Sequence, residues 1–80
     1  MARYEVWIIM NSASAMLVDK ELERHCEVEV SDVITEENLA SRFEMICKAA
    51  WQAGRIPTNE KIELVTYPEE GEFIISQGNA

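Results

Sequence analysis

Eighty residues suffice for one domain and are too few for two, so residues 1–80 read as a single domain. Apolar residues make up 48% of the chain, enough for a real core and too many for an intrinsically disordered segment. Fifteen acids against seven bases give a net charge of −8, which repels phosphate and argues against direct nucleic-acid binding and against docking on anionic membranes.

A basic protein surface is attracted by the same charge. No apolar run approaches the ~20 residues that span a bilayer. Ala13-Ser14-Ala15 resembles a small-residue cleavage site, yet the apolar stretch before it is short, Glu5 interrupts its approach, and Arg3 alone is basic. Removing that segment would also delete one of the best strands. The expectation is a cytoplasmic chain with two reduced thiols, Cys26 and Cys47, both at core positions. A single bridge between them is the alternative.

Residues 3–10 alternate Tyr4, Val6, Ile8 and Met10 against Glu5, Trp7 and Ile9, a strand period with apolar groups on both faces. Asn11-Ser12-Ala13-Ser14 then reads as a turn. A second strand places Leu22, Cys26, Val28 and Val30 on one face and Glu21, Glu23, His25, Glu27 and Glu29 on the other. Its start can lie anywhere in residues 15–23, because residues 16–23 also suit a short helical turn.

The helix has the clearest marks. Thr35 is suited to the N-cap, with Glu36 and Glu37 at the positive end of the dipole. Leu39, Phe43, Ile46, Ala50 and Ala53 make an apolar stripe, and Glu44 with Lys48 is an i,i+4 pair on the other side. Gly54 suits a left-handed cap, and Pro57 blocks continuation. Residues 61–67 and 72–76 read as two further strands joined by a hairpin turn at Pro68-Glu69-Glu70-Gly71.

The expected fold is thus α+β, ββαββ, a four-stranded sheet with one helix on one face. Its most apolar strands, the first and last, would pair in parallel at the centre. That gives a β-grasp-like order 2-1-4-3 or a related order, with the acidic strands at the edges. Such a topology licenses no function by itself.

No motif for chemistry stands out. His25-Cys26-Glu27 groups three metal-ligand types, but neighbouring strand residues point to opposite faces, and zinc needs three or four convergent ligands. No metal, cofactor or catalytic residue is therefore expected, and the glycines at 54, 71 and 78 form no phosphate loop.

What one helix leaves uncovered is the other sheet face, which would present an apolar-aromatic centre flanked by carboxylates. Its candidate partner-binding residues are Glu5, Trp7, His25, Glu27, Glu29, Glu63, Tyr67 and Glu72. Trp51 is a second candidate anchor or a core-edge residue. The expected role is a non-enzymatic protein-interaction domain that occupies a basic, nucleic-acid-binding surface of a partner. Small acidic inhibitors of phages and mobile elements, anti-CRISPR proteins among them, share its size and charge. Two alternatives are a homodimeric accessory domain using the same face and a small enzyme or ligand-binding module with a site between subunits.

Overall fold

The computed structural model of the chain describes residues 3–68. Within them run β1 (Tyr4–Ile9), β2 (Ser14–Asp19), β3 (Arg24–Val28), α1 (Leu39–Gln52) and β4 (Ile62–Tyr67). The strands form one mixed sheet in the order β3-β2-β1-β4. β2 pairs antiparallel with both β1 and β3, while β4 pairs parallel with β1. An α+β fold with a four-stranded sheet and one helix is therefore present, as expected. Its strand order is not β-grasp-like.

Two differences explain the change of order. The region of uncertain start, residues 15–23, is a strand followed by a tight turn, so three strands precede the helix. Ala15, Met16, Leu17 and Val18 are all buried because β2 lies inside the sheet, between β1 and β3. A strand buried on both faces loses its alternation, which is why the two-residue period failed to mark it. The Asp19 carboxylate accepts the N–H groups of Glu21 and Leu22, each at 3.1 Å, and this closes the turn into β3.

The second difference lies after the helix. Residues 72–76 were expected beside the first strand, but β4 occupies that place, with Tyr4 opposite Ile62 and Ile9 opposite Tyr67. The short return from α1 brings Ile62 and Leu64 into the row already begun by Tyr4 and Val6. The expected strand at 72–76 and the turn at 69–71 lie outside the described residues.

Helix α1 packs through Ile46, Cys47 and Ala50, with Leu39, Phe43 and Trp51 half-buried around them. They meet Val6, Ile8, Ala15, Leu17 and Ile62 on one face of the sheet. Ile34 and Ile56, from the segments on either side of α1, complete this core at 0% and 2% exposure. Ile34 is also fixed by its backbone: Asn11 donates to its carbonyl at 2.7 Å, and its own N–H donates to the Ser12 carbonyl at 2.9 Å.

Both helix ends follow local chemistry. The start moves from Thr35 to Asn38, because the Asn38 side chain accepts the Thr35 N–H at 2.8 Å and folds residues 35–38 into a turn of their own. Glu36 and Glu37 thus precede the helix, and its first turn holds no acid. The end is as expected: Gly54 has φ of 72°, its N–H donates to the Trp51 carbonyl, and Arg55 N–H donates to the Ala50 carbonyl. That pair of bonds is a Schellman cap. Lys48 and Glu44 are 3.0 Å apart.

Two expected core residues are not buried. Cys26 lies on the helix-facing side of the sheet opposite Leu17, but β3 is an outer strand that α1 does not cover, so its thiol is exposed. Ala53, the last member of the expected stripe, is exposed at the helix C-cap. Both cysteines are free thiols.

Candidate functional site

Register decides which side chains share a face. Cross-strand partners point the same way, so the face away from α1 carries Glu5, Trp7 and Ile9 from β1, and Met16 and Val18 from β2. To these are added His25 and Glu27 from β3, and Glu63, Val65 and Tyr67 from β4. Six of the eight expected residues are thereby brought to one face. Glu29 follows the end of β3, and Glu72 lies outside the described residues.

They do not form one cluster. Glu5, Trp7, Glu63 and Tyr67 belong to β1 and β4, whereas His25 and Glu27 stand on β3. Three strand spacings, roughly 14 Å, separate β4 from β3. Between them the apolar centre is closed rather than open. Ile9, Met16 and Val18 are 6%, 8% and 7% exposed, with Trp7 and Tyr67 half-buried against them. The expectation of an uncovered apolar centre on this face is corrected here.

The aromatic side of this face is held internally. Trp7 and Tyr67 meet edge to face, with ring centroids 5.6 Å apart. The Trp7 indole N–H donates to the Glu5 carboxylate at 2.8 Å, and the Lys20 ammonium approaches the same carboxylate at 3.5 Å. Trp51 is likewise engaged, its indole N–H donating to the Glu60 carbonyl at 3.2 Å.

The β3 side is open. Every residue from Arg24 to Glu27 is exposed, and so is the turn before it, with Glu21 and Glu23. His25 and Glu27 point to one face and Cys26 to the other, so the three do not converge. Among the described residues no group of three or more histidine, cysteine or acidic side chains could hold a metal ion. No helix among them is long and apolar enough to cross a membrane.

No protein-family model matches this chain, and it has no match among curated proteins or among solved structures. The surface itself must therefore carry the functional reading.

Sequence reasoning missed a groove on the other side of β3. Where α1 stops short of covering the sheet, Leu17, Val28, Ile46, Ala49, Ala50 and Ala53 line about 490 Å³ of open space, with Glu27 and Glu29 at its edge. Arg55 reaches over it, its guanidinium donating to the Cys26 sulfur at 3.3 Å. Ala49 and Ala53, exposed on an apolar helix flank, were the signal that a neighbouring surface stays uncovered. Burial pushes the Cys47 thiol above its ordinary pKa, with the Glu44 carboxylate adding to the effect.

Proposed function

We propose that this chain is a small acidic protein-interaction domain that works without chemistry of its own, by occupying a basic surface of a partner protein. The observation that supports this is the exposed strand β3. It presents the His25 and Glu27 side chains on one face, continues into Glu29, and follows a turn carrying Glu21 and Glu23. Glu27 is fixed on the strand, Glu23 and Glu29 flank it, Glu21 is already paired with Arg3 at 2.7 Å, and a net charge of −8 steers the encounter with a cationic surface. A basic surface that ordinarily holds nucleic acid is the best match for such a row, as in the small acidic inhibitors of phages and mobile elements.

The test is capture from the native host with the tagged chain and with a Glu27→Lys, Glu29→Lys double variant, followed by elution with salt and with an oligonucleotide. A partner that the variant fails to retain and the oligonucleotide releases supports the proposal. A partner held equally by both forms, and indifferent to salt, overturns it.

A further inference from the structure

The backbone of β3 has a direction as well as a charge. Lys20 N–H donates to the Arg3 carbonyl at 2.8 Å, so these two are a hydrogen-bonded pair in the β1–β2 ladder. Bonding alternates along an antiparallel strand. The backbone groups of Asp19, Leu17 and Ala15 therefore turn toward β3, and their partners Arg24, Cys26 and Val28 turn back toward β2. The N–H and C=O groups of His25 and Glu27 are left pointing outward, along an exposed strand with no neighbour on that side among the described residues. Such an edge is a template for one more strand.

The two faces of that edge want different side chains. On the face of His25 and Glu27, carboxylate favours Lys or Arg across the strand gap. On the other face lies the groove lined by Leu17, Val28 and Ala49, with Glu27, Glu29 and Arg55 at its edge and Arg24 beside Asp19 in the adjoining hollow. An aliphatic side chain is accommodated there, against Leu17, Val28 and Ala49. An antiparallel second copy of β3 fits poorly, because it sets Glu27 against acid or imidazole and not against Lys or Arg.

We propose that the partner engages this edge by adding an extended strand of alternating basic and apolar residues, basic over His25 and Glu27 and apolar over the β3–α1 groove. This rests on the partner being basic, as argued above, and adds its conformation and the phase of its side chains.

The experiment uses the isotope-labelled chain and two capped nine-residue peptides of identical composition, one alternating lysine and valine, the other with the same residues in blocks. At low salt the alternating peptide should bind about tenfold more tightly. It should also slow exchange of the His25 and Glu27 amide protons at least about tenfold, leaving those of Cys26 and Val28 as they were. Glu27→Lys should remove the preference while keeping the free protein's urea midpoint. Equal binding of both peptides, with shifts centred on Glu63 and Tyr67, overturns strand addition and leaves the basic-partner reading standing. Failure of both peptides to bind also overturns strand addition, with host capture still deciding the wider reading. Protection of the same amides by raised protein concentration alone would assign the edge to a second copy and overturn it too.

Discussion

The Glu5 carboxylate holds the Trp7 indole: the N–H donates to it at 2.8 Å across two residues of the same strand face. Glu5 is a sequence-level candidate for partner contact, yet its side chain is only 12% exposed and Lys20 lies 3.5 Å away on the same oxygen pair. Its work is internal. Glu5→Ala should lower unfolding stability by about 1–2 kcal/mol, since a hydrogen bond to a charged acceptor is lost. Glu5→Gln should lose about half as much, and Lys20→Ala less than about 0.5 kcal/mol, because the lysine side chain is half-exposed. Urea denaturation followed by tryptophan fluorescence measures all three, and an unchanged Glu5→Ala midpoint would refute the internal role.

Ile34 should be the costliest single truncation outside the regular elements. It is fully buried, and its backbone ties the β1–β2 turn to the segment leading into α1. Ile34→Ala should lose about 3 kcal/mol from its transfer and cavity terms, a large share of the stability of so small a domain. The exposed neighbour Val33, changed to Ala, should move the urea midpoint little.

These two residues show where the sequence was legible and where it was not. The two-residue alternation of residues 3–10 correctly separated Tyr4 and Val6, beneath the helix, from Glu5 and Trp7, and Glu63 and Tyr67 were rightly placed on the face away from it. His25 and Glu27 were placed correctly for the same reason. β2 was not legible, because burial on both faces erases the pattern that marks a strand. Ile34 and Ile56 were missed because they sit in irregular segments, where no period singles them out. The strand order depended on which of two C-terminal segments reached β1, a matter of connection length rather than of hydrophobicity. The groove beside β3 came from the helix covering less of the sheet than its own apolar stripe implied, with Ala53 and Cys26 left in the open.

Backbone strain gives a prediction of opposite sign. Glu23 has φ of 54° in the turn between β2 and β3, a left-handed conformation that a glutamate adopts at a cost. Glu23→Gly should raise stability by about 0.5–1 kcal/mol, whereas Asn11→Gly, at φ of 60°, should be nearly neutral because asparagine tolerates this region. A stability loss in Glu23→Gly would mean the turn is held differently.

The thiols should separate in kinetics and in pH. Cys26 is exposed and Cys47 buried, so an aromatic disulfide reagent should modify one thiol promptly and the second only on unfolding. Burial first, and Glu44 second, raise the folded Cys47 pKa above the unfolded value of 9.0. The unfolded thiol then ionises first, so the Cys47 contribution is whole below that value and is lost as pH rises through it toward the folded pKa. Urea midpoints measured from pH 7 upward should decline near the thiol range, and Cys47→Ala should flatten that decline. Equal reactivity of both thiols in the folded chain would contradict the burial.

Amide exchange in the free protein reaches the outward edge of β3 most directly. The N–H groups of Cys26 and Val28, turned toward β2, should exchange slowly, and those of His25 and Glu27, which alternate with them, should exchange close to the rate of an open chain. Uniform protection across these four residues would show the edge already occupied and would contradict the account.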